Sequence, residues 1–234
     1  MERPYIICHM TVSLDGKVTG AFLERPEAAI GAEIYYEINR SYKAKGANAF
    51  ACGRVTMEGS FTGGWQPELS AFLDAKPGRE DFVADREAET FALAFDRRGR
   101  LGWKSSRIED EDPGYGDSHI IEVLCEDAPE AYLAYLRSIG VSYVFAGEKE
   151  MDLSLALKKL KDLFGIERLL LEGGSILNGA FQRQGLIDEL SLVVAPVTAA
   201  EGDQSLFQGG ALEGYTLREA KQYEDSVLWL NYVK

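Results

Sequence analysis

Three short stretches of this 234-residue chain gather residue types able to hold an anion: CGRVT (52–56), FDRRGR (95–100) and LLLEGGSIL (169–177). In the first, an apolar run ends at Gly53, and Arg54, Val55 and Thr56 open the next segment. A guanidinium, a hydroxyl and the free backbone N–H groups of a first helical turn together suit an anion. The same residues equally serve a plain glycine turn, with Arg54 in solvent and Thr56 as a helix cap. In the second stretch Arg97, Arg98 and Arg100 directly follow an apolar run. In so acidic a chain they suit a phosphate, or they balance Asp110–Asp112 and the other acids nearby. In the third, Gly173 and Gly174 leave space for a ligand against the backbone, and Ser175 begins the next segment. A structural turn would use the same glycine pair.

Composition narrows the partners. The formal net charge is −13, with 46% hydrophobic and 27% charged residues. That balance argues against non-specific nucleic-acid binding and against anionic membrane surfaces, so an anionic ligand needs a local basic pocket. Cys8, Cys52 and Cys125 are dispersed, without a CxxC pair, and His9 and His119 are the only histidines. This reads as reduced core thiols and no metal site. The N-terminus, MERPYIICHMTV, lacks a basic leader and a sustained apolar run, and no segment has the length of a membrane span. A cytoplasmic protein is expected.

The elements that must position these residues alternate between strand and helix. Strands are expected at 5–12, 47–53, 90–95, 119–125, 141–147 and 186–197, with ERLLLEGG as a further strand and turn. Apolar spacing predicts helices over 31–43 and 128–140, and one capped by Asp152 with the stripe Leu153, Leu157, Leu160 and Phe164. ILNGAFQRQG is a fourth helix, closed by Gly185. Asp15-Gly16 marks a turn, and two strands meet at Glu224-Asp225 near the C-terminus. The pattern is that of an α/β fold with a mostly parallel central sheet flanked by helices and an antiparallel C-terminal edge. Residues 62–88 read as a long excursion, and 105–118 as a polar, acidic surface loop. The whole chain, 1–234, reads as a single domain.

With parallel strands, the three stretches fall on one edge of the sheet, where open α/β sheets bind ligands, and together suit a dinucleotide. Neither GxGxxG nor GxxxxGK[ST] is present. SLDGKV (13–18), CGRVT, FDRRGRL, LLLEGGSIL and LIDELSLVVAPV (186–197) resemble, in order over nearly the whole chain, the reductase domain of bacterial riboflavin biosynthesis, within the dihydrofolate-reductase-like superfamily. The resemblance implies a stand-alone NADPH-dependent reductase that forms a homodimer and acts on a small molecule. It assigns Gly53, Arg54 and Thr56 to a cofactor phosphate, and Arg97 and Arg98 to the adenosine 2′-phosphate. Gly173, Gly174 and Ser175 fall beside the pyrophosphate and nicotinamide ribose, and Ser13 and Asp15 near the nicotinamide and substrate.

One position departs from the family's pattern: Ser60 stands where an aspartate usually binds substrate, four residues after the GRxT threonine. The chain also lacks the H-x-E and PCxxC pattern of a zinc deaminase. The implied reaction is hydride transfer to a C=N or C=O carbon, which needs a proton for the nitrogen or oxygen. Asp15 is the first choice for its donor and Glu172 the second, although either also suits a purely structural turn. A non-catalytic nucleotide sensor on the same fold is the alternative that Ser60 leaves open.

Overall fold

The computed structural model describes residues 2–234. Along the chain run β1 (Tyr5–Val12), α1 (Pro26–Ala44), β2 (Ala49–Gly53), α2 (Arg54–Met57), β3 (Phe91–Phe95), β4 (His119–Leu124) and α3 (Glu130–Ser138). There follow β5 (Ser142–Phe145), α4 (Leu153–Phe164), β6 (Arg168–Leu171), α5 (Ser175–Arg183), β7 (Glu189–Val194), β8 (Thr216–Gln222) and β9 (Leu228–Val233). Every element expected from the sequence is present, several of them shorter: the strand expected over 186–197 pairs only from Glu189 to Val194. The chain divides into two compact units, one formed mainly by Asn48–Glu167 and the other by Tyr5–Ala47 with Arg168–Lys234.

In the first unit four parallel strands lie in the order β5-β4-β3-β2. Every residue of β3 and β4 is buried, as apolar strands covered on both faces must be. α4 buries the stripe Leu153, Leu157, Leu160 and Phe164. Its first turn is capped as expected, Asp152 Oδ1 accepting from Leu155 N at 2.9 Å. The excursion is packed rather than loose. Phe82 forms an antiparallel bridge to Tyr143 in β5, and Asp81 pairs with Lys159 at 2.9 Å. The loop expected to be a polar surface over 105–118 is in part core: Ile108 and Tyr115 are buried, and the Tyr115 ring meets Phe50 edge-on at 4.9 Å. Its acids stay outside while two apolar residues fold inward, a division that the overall polarity of the segment conceals.

In the second unit the order is β6-β1-β7-β9-β8, with β6, β1 and β7 parallel and the last two strands antiparallel. β8 is exposed at every residue. The unit is drawn together on Glu189, a buried carboxylate on β7. Its Oε1 accepts from Tyr42 Oη at 2.6 Å and Asn231 Nδ2 at 2.7 Å. Its Oε2 accepts from Tyr5 Oη at 3.0 Å and Arg218 Nη1 at 3.2 Å. Burial pushes this carboxyl up, but those bonds and the Arg218 charge outweigh it and hold the pKa below the ordinary value. α1, β1, β8 and β9 thus all answer one charge.

A carboxyl whose pKa is lower folded than unfolded stabilises the fold above the unfolded value, and that contribution is lost as pH falls through the folded one. Glu189→Gln is expected to cost about 2 kcal/mol at neutral pH, the range of a hydrogen bond to a charged group. In urea unfolding the gap from wild type should close as pH falls below about 4.3.

Candidate active site

In the first unit the chain leaves β2 at Gly53 and turns at once into α2, whose helical path continues through a wider π-turn over Glu58–Thr62. Arg54 does not reach freely into solvent. Its Nη1 donates to Glu58 Oε2, one turn on, at 2.6 Å. Thr56 is half-buried in the same turn. After β3, Asp96 accepts from the backbone N–H groups of Arg100 and Leu101 and so shapes the basic loop. Burial raises the Asp96 carboxyl, and the Arg54 charge is among the effects that oppose this. The two arginines expected to act together diverge. Arg97 is committed to Glu150 at 2.7 Å and to the Lys149 carbonyl, whereas Arg98 is exposed, with no acidic partner among the described residues.

In the second unit, β6 ends at Leu171 and the next residue is Glu172, buried. Asn39 on α1 donates to Glu172 Oε1 at 2.7 Å. Cys8, paired with Leu171 across β1 and β6, has its thiol pushed up by burial and then by the Glu172 charge. Gly173 has φ +101°, and a Cβ there would meet the Met10 side chain at 3.4 Å. Only glycine suits that position without strain. Beyond Gly174, α5 begins at Ser175, whose hydroxyl is buried with no hydrogen-bond partner. An unanswered hydroxyl at the start of a helix, behind a turn without side chains, fits a polar ligand such as the ribose and phosphates of a dinucleotide.

Ser13 and Asp15 lie together, but as a turn. Ser13 Oγ donates to Asp15 Oδ1 at 2.8 Å and accepts from Lys17 N at 2.9 Å. Ala199 N also donates to Asp15 Oδ1, at 2.9 Å. These bonds, that from Ala199 first and that from Ser13 next, hold the Asp15 carboxyl below its usual range. In the free protein these bonds make Ser13 and Asp15 a loop clasp. The clasp extends further, with Leu14 N bonding to the Val197 carbonyl, Val18 N to Gln204 and Leu206 N to Gly16.

Asn39, Met10 and Asp96 escaped the sequence reading. Asn39 left one signal, an amide directly beside Ile38 in the buried stripe of α1. Among the described residues no group of three or more His, Cys, Asp or Glu side chains is placed to hold a metal, and no helix is long and apolar enough to cross a membrane.

Residues 115–229 match the family model for the RibD C-terminal domain. The chain is 30% identical over 220 residues to the 2,5-diamino-6-ribosylamino-4(3H)-pyrimidinone 5′-phosphate reductase of Aquifex aeolicus, the match covering 92% of this chain and 86% of that one. The chain belongs to the RibD C-terminal domain family. Another relative, the reductase of the same name from Methanothermobacter thermautotrophicus, is 28% identical over 213 residues, 90% of this chain and 87% of its own. Among solved structures, Acinetobacter baumannii RibD superposes with a TM-score of 0.68 at 19% identity, over 100% of this chain and 58% of that one. The likeness confirms the α/β RibD fold, and the chain spans little more than half of that longer protein.

The Ser13–Asp15 clasp is open to test by hydrogen exchange. Asp15→Ala should speed amide exchange at Lys17 and Ala199 while leaving β1 and β7 protected. Unchanged exchange at those two amides would show that the loop is held by other bonds.

Proposed function

We propose that this reductase uses NADPH and acts on a pyrimidine carrying a ribosyl-phosphate arm, the substrate class named for its relatives. The observation that carries the reading is Glu172, a buried carboxyl oriented by Asn39 beside the Gly173–Gly174 turn, on a fold whose named relatives are reductases. A nicotinamide cofactor supplies a hydride to an electron-poor carbon. The protein's part is to fix the distance, exclude water and provide a proton. In the first unit Arg54 and Thr56 suit a cofactor phosphate and Arg98 the 2′-phosphate that separates NADPH from NADH; in the second, Gly173, Gly174 and Ser175 suit a nicotinamide ribose. Glu172 passes a proton to the substrate nitrogen or oxygen. Gly53 lets the chain turn directly into the Arg54 helix, and Arg97, already paired with Glu150, shapes the loop that presents Arg98. The whole chain acts as one cytoplasmic reductase domain.

Arg54 must exchange Glu58 for phosphate, so part of its value is already spent in the free protein. Arg54→Ala should weaken NADPH binding by about 1.5 kcal/mol, the low end for a charged hydrogen bond. Glu58→Gln should tighten it about twofold, because an i,i+4 pair of this exposure is worth only tenths of a kcal/mol. Arg98→Ala should narrow the preference for NADPH over NADH. Glu172→Gln should keep cofactor affinity and lower turnover about a hundredfold if it supplies the proton. Fluorescence titration reads the first three, and loss of NADPH absorbance with the ribosylaminopyrimidine phosphate reads the last. No binding of either cofactor would sink the reductase reading. Binding without oxidation would favour a nucleotide sensor, and Ser60 is where that change would have entered.

We assign the exposed β8 face to a second copy of the chain. β8 is exposed throughout, Leu217 to 50%, and its edge away from β9 is unpaired among the described residues; an open strand edge of this length invites association. Gel filtration should give a dimer that Leu217→Glu converts to monomer; a monomeric wild type overturns the assignment.

A further inference from the structure

The buried face of α5 carries Ser175, Asn178, Gly179 and Gln182. Two of these have evident uses. A Cβ at Gly179 would lie 2.0 Å from the Gln208 carbonyl oxygen, so only glycine lets the 205–211 loop rest on the helix. Gln182 grips the Ala211 peptide with both ends of its amide: Nε2 donates to the Ala211 carbonyl at 2.8 Å, and Oε1 accepts from Ala211 N at 2.6 Å.

Asn178 is the same functional group one turn earlier, and neither end of it is used. Its Oδ1 and Nδ2 are both buried and without a hydrogen-bond partner, as is the Ser175 hydroxyl; the two residues are 0% and 1% exposed. Buried polar groups are nearly always paired, and leaving one unpaired is costly. Three such atoms within a single turn therefore point to a partner that arrives from outside. Side chains on a helix lean toward its N-terminus, and positions i and i+3 share a face. Asn178 thus leans over the turn that begins at Ser175, behind Gly173 and Gly174.

We infer that Asn178 reads the carboxamide of the nicotinamide ring through a paired donor and acceptor, as Gln182 reads the Ala211 peptide, while Ser175 takes a ribose hydroxyl. This rests on the nicotinamide-cofactor reading above and adds to it a residue that distinguishes a carboxamide from a carboxylate. A nicotinic-acid ring presents two acceptors and cannot donate to Asn178 Oδ1.

The test uses the full chain with NADP⁺ and its nicotinic-acid counterpart, comparing dissociation constants by fluorescence and melting temperatures without ligand. Wild type should prefer NADP⁺ by about tenfold, the value of one lost hydrogen bond. Asn178→Leu should lose that preference and melt no lower than wild type, since it removes an unpaired buried amide. Asn178→Asp, of the same shape but acceptor-only when ionised, still accepts from the carboxamide N–H and repels a carboxylate, so it should widen the preference. Preference retained in Asn178→Leu, or lost in Asn178→Asp, overturns the inference, and so does a lowered melting temperature for Asn178→Leu, which would reveal a structural partner. If wild type binds neither dinucleotide, the cofactor reading falls and this inference with it. If wild type binds NADP⁺ without preference, only the inference falls.

Discussion

The hydrogen bond from Asn39 to Glu172 ties the site to the core. A carboxyl this deeply buried, beside the Cys8 thiol at the end of two parallel strands, needs a polar answer from inside the fold. That answer comes from the middle of α1, on the face that also buries Ile34, Ile38 and Tyr42. Helix α1 is therefore more than a cover for the sheet. Its axial position and rotation set where the Glu172 oxygens lie, and the same helix is anchored one turn later by Tyr42 on Glu189. Two buried acids fix one helix at two points, which leaves it little freedom to slide.

The candidate site residues of the two units differ in how their polar groups are met. In the first, cations meet their counter-charges in advance: Arg54 on Glu58 and Arg97 on Glu150. A chain with a net charge of −13 has acids to spare for this. The cost is competition with any phosphate that binds. In the second unit polar atoms are left unanswered, at Ser175 and Asn178. Such atoms lower the stability of the free protein, an expense tolerated where a ligand recovers it.

Much of this was legible in the sequence, because the features concerned are local. The alternation of strands and helices, the glycines at Gly53 and Gly173, and the Asp152 cap all depend on neighbours a few residues away. What escaped depends on pairing across the chain. Arg97 looked equivalent to Arg98 until Glu150, more than fifty positions on, proved to hold it. Asp15 carried the right chemistry for an acid but is bonded by an amide 184 positions away. Asn39 went unremarked in the helix over 31–43, and only the position of Glu172 gives it a purpose. The acidic loop 105–118 was misjudged from its average polarity, which hid two inward-facing residues.

The three cysteines have a use that follows from their burial. All are free and enclosed, with the thiol of Cys8 raised by burial and that of Cys125 to about 11 by the same cause first. A thiol reacts as its thiolate, so alkylation of the native protein must wait for the chain to open around it. Cys8 lies in one unit and Cys125 in the other. Their separate labelling rates would time the opening of each unit, with no probe introduced into either.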